Sequence, residues 1–192
     1  MKQLNIPNKK KQRGFTLVEL GLGFIIALVV FAIVFQVYTT TSQSQQADQA
    51  QKTMLALVTG AKSLSQGGRY TGLTTEVLIN SGKVPDGLAS GTTISNPFGG
   101  QFQVAAAGVA GGSNNALAIC VTNVGRSECN SLVNGSAGAF GRIGVGTGAV
   151  VCSGTAGTAV KDRWAATPVV PTTSSVTTAC NNDSNTIAFV TN

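Results

Sequence analysis

Four cysteines, Cys120, Cys129, Cys152 and Cys180, carry much of the chemistry available to this sequence. They are spaced by 9, 23 and 28 positions, no two form a C-x-x-C, and the chain has no histidine. A zinc site would need all four thiolates at separations far from those of zinc knuckles, so two disulfides in an oxidising compartment are expected instead. Four cysteines permit three pairings, and spacing alone selects none of them. The lack of histidine also removes the commonest general base. After Glu19 the acids Asp48, Glu76, Asp86, Glu128, Asp162 and Asp183 are scattered and form no carboxylate dyad. GVGTGA (144–149) lacks the context of a dinucleotide loop, and no glycine run leads into the Lys-Ser/Thr of a phosphate cradle. No enzyme activity, cofactor or metal is expected.

The remaining chemistry lies in one glutamate. Glu19 sits in RGFTLVELGLGF (13–24), at the head of the longest apolar run, and Leu20 to Phe35 contains no charged or strongly polar side chain. Lys2, Lys9, Lys10, Lys11 and Arg13 supply five of the positive charges before this run, and the rest of the chain carries eight Lys/Arg against seven Asp/Glu. The net charge of +6 is therefore a property of the first residues, and a nucleic-acid-binding face is not expected. Phe15 to Tyr38 is 24 residues. As a helix it would measure about 36 Å at ~1.5 Å per residue, enough to cross a bilayer core with the basic end cytoplasmic.

Three readings compete for this segment. A cleaved secretory signal has an apolar stretch of about 7–15 residues, shorter than this one, and no glutamate at its start. A plain anchor fits the length but leaves the carboxylate unexplained, at a cost of about 2.5–3.5 kcal/mol near a helix centre and less near an interface. The third reading accounts for the charge. Basic residues, then Gly14, Phe15, Thr16 and Glu19 in KKQRG-FTLVEL, resemble the processing site of type IV prepilins and their pseudopilin relatives.

The resemblance implies that a membrane prepilin peptidase cuts between Gly14 and Phe15 and that the new Phe15 amine is N-methylated. Residues 1–14 are then a leader, and Glu19 occupies the fifth mature position. It further implies that Glu19 of one subunit meets the Phe15 amine of another. An unpaired buried charge is strongly penalised, so such a pair would fix the register of subunits whose apolar surfaces supply adhesion. The partners implied are identical subunits, the peptidase and the inner-membrane assembly machinery, with the membrane holding the subunit beforehand. Type IVa pilins usually carry proline at the twenty-second mature position, where this chain has Gln36. Local helix melting in a filament would instead be expected near Gly21 and Gly23.

Beyond Tyr38, apolar residues recur at Ala47, Ala50, Met54, Leu57, Ala61 and Leu64, a spacing of three and four that predicts continuation of one helix over 15–66. Its C-terminal half should dock on a globular head, with Gly67-Gly68 as the stop. TTEVLINSG (74–82) predicts a capped helix ending at Gly82. ISNPFGGQFQVAA predicts a turn and a strand in which Phe102 and Val104 alternate. ALAICVT (116–122) and NTIAFVT (185–191) read as strands, VGTGAVVC (145–152) as a further strand, and RSECNSLV (126–133) as a short helix with Ser127 as its cap. The class is α+β, a long helix on an antiparallel sheet.

The order of the head, from Gly-Gly-Arg-Tyr through Asn-Pro-Phe-Gly-Gly to a late cysteine and a final Ala-Phe-Val strand, is similar to type IVb pilins. The toxin-coregulated pilin and the thin-pilus pilins of conjugative plasmids are among them. That resemblance implies a head over 67–192 and a C-terminal D-region closed by Cys129–Cys180, leaving Cys120 to pair with Cys152. Trp164, inside that loop, is expected to pack in the core or between subunits and not to serve as an exposed adhesive anchor. The function implied is a structural subunit, the major pilin of an extracellular filament used for adherence, aggregation or mating-pair contact. A type II secretion pseudopilin shares the N-terminal signal and is the alternative. A monomeric membrane-anchored binding protein would show no processing.

Overall fold

The computed structural model describes residues 16–148, 152 and 157–192. The chain divides into two compact units, one reaching to Thr41 and the other spanning Ser42–Asn192. Helix α1 (Leu17–Leu64) supplies the described part of the first unit and begins the second. Within the second unit follow α2 (Thr75–Asn80), β1 (Ala89–Ser90), β2 (Thr93–Ser95), β3 (Gln101–Ala107), β4 (Ala116–Val124), α3 (Arg126–Ser136), β5 (Arg142–Gly146), β6 (Thr158–Asp162), α4 (Thr173–Ala179) and β7 (Asn185–Thr191).

The stripe on α1 does what its spacing requires. Ala47, Ala50, Met54, Leu57 and Ala61 are buried, and Leu64 packs against the same core. The helix stops at Leu64, and Gly67-Gly68 forms the turn after it. Gly60 is the unexpected residue inside this stretch, since glycine costs a helix interior about 1 kcal/mol relative to alanine. The Lys83 carbonyl explains it: a Cβ at Gly60 would lie 2.7 Å from that oxygen. The missing side chain lets the loop after α2 lie directly on α1.

All strand pairs are antiparallel, in the order β1-β2-β3-β4-β7-β5-β6. The last strand of the chain is thus inserted between β4 and β5, and every residue of β7 is buried. Period-two alternation divides the sheet into two unlike faces. Phe102, Leu117, Ile119, Val121, Ile143, Ile187 and Phe189 share a core with Met54 and Leu57 of α1 and with α3 and α4. The opposite face is built of small residues, Ala107, Ala116, Ala118, Cys120 and Ala188, with Val109, Val190 and Cys152. Small side chains there allow a thin cover to bury the face.

Local chemistry sets the turns. Asn96 of NPFGG is buried and uses both ends of its amide: its nitrogen donates to the Gln101 and Thr122 carbonyls, and its oxygen accepts from the Phe98 and Gly100 amides. Thr74 caps α2 by accepting the Val77 amide, and Gly82 follows the helix at φ 66°.

Two expectations need correction, and one helix lies where none was expected. The N-cap of α3 is Gly125, not Ser127, and no side chain caps it. The Glu128 carboxylate fills the space a Cβ at Gly125 would need, which favours glycine there. The strand expected over 145–152 is β5 at Arg142–Gly146, because Arg142 to Gly146 pair with Val190 to Thr186, whereas Thr147 and Gly148 lie outside the strand. Residues 149–151 lie outside the described residues. Helix α4 was not anticipated, since Ser and Thr are indifferent helix formers. Its signal was local: Thr172 and Ser175 form a reciprocal capping box directly after Pro171.

Candidate assembly elements

In the first unit, the large apolar side chains from Leu17 to Tyr38 are between 54% and 91% exposed and fall on every side of the helix. A helix apolar all round is suited to a membrane or to the interior of an assembly. By length and composition it can cross a bilayer. Glu19 occupies the first turn, where the helix macrodipole favours a negative charge. Its own amide donates to the Thr16 hydroxyl at 3.3 Å, and the Leu20 amide donates to the Thr16 carbonyl at 3.2 Å. Thr16 is therefore the cap of α1, a role the sequence reading missed although Thr-x-x-Glu is a capping-box spacing. Gly14 and Phe15 lie outside the described residues.

In the second unit, Cys129 of α3 bonds to Cys180 at the end of α4, and Cys120 of β4 bonds to Cys152. The two bridges serve opposite faces. Cys129 and Cys180 belong to the large core under α1, whereas Cys120 and Cys152 belong to the alanine-rich face.

Between Cys152 and Cys180, a further cluster holds the chain to the sheet. The Arg142 guanidinium pairs with the mostly buried Asp162 carboxylate at 2.8 Å. The other Asp162 oxygen accepts the Trp164 amide at 2.9 Å, and the Asp162 backbone exchanges two hydrogen bonds with Val169. This turn lays the half-buried Trp164 ring over Gly141, against the alanine-rich face, with the Arg163 guanidinium 4.5 Å above the ring. Neither Arg142 nor Gly141 carries a sequence signal, because each is defined by a partner about twenty residues away. Gly141→Val should drive its side chain into the indole, costing about 1–3 kcal/mol as an overpacking substitution. Trp164 is the only tryptophan, so a shift in its fluorescence with a lowered Tm checks this directly. An unchanged spectrum would remove Gly141 from the contact.

The family described as PilS N terminal matches residues 44–192. The chain belongs to the PilS family of type IV pilins. Two curated relatives, each named major structural subunit of bundle-forming pilus, come from Escherichia coli O127:H6 (strain E2348/69, EPEC) and Escherichia coli O111:H-. Both are 30% identical over 134 residues, 66% of this chain and 66% of the relative. The pilin therefore spans just under two thirds of the length of the curated relatives it matches. The crystal structure of TcpA, a type IV pilin from Vibrio cholerae El Tor biotype, superposes with a TM-score of 0.62 at 18% identity. The match covers 77% of this chain and 99% of that one, and it establishes a shared pilin fold.

Proposed function

We propose that the pilin is the major structural subunit of an extracellular type IV pilus of the IVb subgroup. The observation that carries this reading is one carboxylate in the first turn of α1, at the head of an exposed and otherwise apolar segment that runs to Phe35. In this proposal residues 1–14 are a leader removed between Gly14 and Phe15, and the Phe15 amine is methylated by the same peptidase. Residues 15–38 hold the subunit in the inner membrane as a single span. The assembly machinery then extracts it, and the segment becomes the core of a homopolymer. The head, with its D-region from Cys129 to Cys180, forms the outer surface used for adherence, aggregation or mating-pair contact.

Two features support the reading. Apolar surface of this extent must be covered in any soluble state, and a bilayer followed by a helix bundle covers it at both stages. The curated relatives are named as pilus subunits. Intact-mass and N-terminal sequencing of the chain from cells should give a start at Phe15 bearing about 14 Da of added methyl mass, assigned from general methyl chemistry. Gly14→Val should abolish both the cut and the methylation. A mature chain beginning elsewhere, or normal processing of the Gly14 variant, would sink the leader assignment. Electron microscopy of labelled surface fibres separates a pilus from a short secretion pseudopilus.

A further inference from the structure

Asn185 opens β7 and is fully buried. It alternates with Ile187 and Phe189, so its side chain stands on the face of the sheet that carries the main core, the face on which α3 lies. The carboxamide nitrogen is satisfied twice, donating to the Val124 carbonyl at 3.1 Å and to the Asn182 carbonyl at 2.6 Å. Carbonyls only accept, so these two bonds fix which end of the amide is the nitrogen. The other end, Oδ1, accepts from no group among the described residues. It is the one buried side-chain atom among them left without a partner. Buried polar groups are normally paired, and a bare one is costly.

The adjoining element has the opposite shortage. Val124 is the strand partner of Asn185, and the next residue, Gly125, is the N-cap of α3. Glycine brings no side chain, and no side chain caps this helix. The first bond within it runs from the Cys129 amide to the Gly125 carbonyl at 2.8 Å. The amides of Arg126, Ser127 and Glu128 therefore precede the first intrahelical bond, as the opening amides of any helix do. The Glu128 carboxylate lies against Gly125, but a carboxylate can only accept and does not serve Oδ1. A buried acceptor and a set of orphan donors thus meet at one corner of the head.

We infer that Asn185 binds one buried water, which donates to Oδ1 and accepts from a first-turn amide of α3. The occupant must donate, because Oδ1 is an acceptor. It must also accept, because a helix N-terminus presents N–H groups and positive partial charge. A metal ion meets the first need only, and it is repelled by the helix dipole and by the Arg126 guanidinium, which lies 3.4 Å from Asp183. An anion meets the second only and sets its charge against Oδ1. Water does both and is small enough for a fully buried corner; buried waters commonly make about three such bonds. The water completes a clamp. Through Nδ2, Asn185 holds Asn182, which follows Cys180 closely, and through the water it holds the turn that leads into Cys129. One side chain of β7 so ties both sides of the Cys129–Cys180 bridge. Nothing in this depends on Glu19 or on filament assembly, since every group belongs to the second unit.

The test is water–amide NMR on the full-length, perdeuterated chain in detergent micelles. Ser127→Ala is the working background, because that hydroxyl exchanges with solvent and would relay a false signal. A long-held water should give laboratory-frame and rotating-frame Overhauser peaks of opposite sign at an amide of residues 126–128 and at the Asn185 side-chain amide. Asn185→Leu, close in volume but without the carboxamide, should lose the peaks at residues 126–128. It should also speed hydrogen exchange of the protected amide about tenfold, the loss of one hydrogen bond. If that variant does not fold, the spectra of the Asn185 chain decide alone. Three results would overturn the assignment there: no long-held water at either position, a scalar coupling across a direct bond from a backbone amide to the Asn185 carbonyl, or saturable shifts of these amides on adding Ca²⁺. Persistence of the water peaks in a folded Asn185→Leu chain would do the same.

Discussion

The chain carrying Glu19→Val should insert into the membrane, be cut and be methylated at Phe15, yet yield no filaments. The prediction rests on where the charge lies. The helix around Glu19 presents apolar side chains on every side, so subunits can adhere through it in many registers. Under the proposed function, the carboxylate in the first turn of the helix selects among them by demanding a cation. In the proposed assembly that cation is the Phe15 amine of another subunit. Removing the carboxylate leaves the amine buried without a partner, which costs about 3–5 kcal/mol. At ~1.4 kcal/mol per factor of ten, each addition becomes at least a hundredfold less favourable, and a polymer compounds that loss at every step. Glu19→Gln should fail as well, because the amide keeps shape and polarity but not charge. The measurement is sheared-filament yield set against the mass of the cell-associated chain. Normal filaments from either variant would show that register is set elsewhere.

The second large effect is expected in the head. Replacing both Cys129 and Cys180 by serine opens a bridge that spans 51 positions. In the chain-entropy account such a closure stabilises by about 4 kcal/mol. That is a large part of the roughly 5–15 kcal/mol by which domains are usually stable. Both sulfurs sit in fully buried residues of the main core, so serine would also place two hydroxyls among Leu132, Val133 and Val176. The double variant should unfold at a clearly lower denaturant concentration. It should also become sensitive to proteases in the segment between β6 and β7. The loop entropy of the Cys120–Cys152 bridge, spanning 32 positions, is nearly as large. Its loss should be felt instead on the alanine-rich face, where Cys152 and Trp164 pack. A double serine variant at Cys129 and Cys180 with unchanged denaturation and proteolysis would contradict this account.

Much of the architecture is legible because it rests on short-range patterns. The three-four stripe from Ala47 to Leu64 marks the buried side of α1 before any partner is known. NTIAFVT coincides with β7, ALAICVT lies within β4, and Thr74 with Gly82 brackets α2. Thr16, Thr172 and Ser175 are equally legible in principle, since capping chemistry is local, but apolar periodicity does not report it. Other features have no local signature at all. Nothing near Arg142 announces Asp162, nothing near Gly60 announces the Lys83 carbonyl, and nothing near Gly141 announces Trp164.

The sequence by itself determined what covalent and compositional chemistry can carry. It placed a basic stretch, a glycine and a phenylalanine ahead of an apolar run with one carboxylate. It also put four cysteines in a chain without histidine. Those features need no folded partner to be read. Tertiary structure decided which of three pairings the cysteines make, because a disulfide needs two Cβ atoms within a few ångströms and sequence distance does not report that. It decided that β7 enters between β4 and β5, burying both its faces, since strand neighbours are chosen by the surface each must cover. It also tied Gly-Gly-Arg-Tyr, read along the chain as a helix stop, to a distant segment, because the Tyr70 amide donates to the Asn114 carbonyl. Where a residue's meaning lies in its neighbours along the chain, the sequence suffices; where it lies in a contact across the fold, only the packed structure holds it.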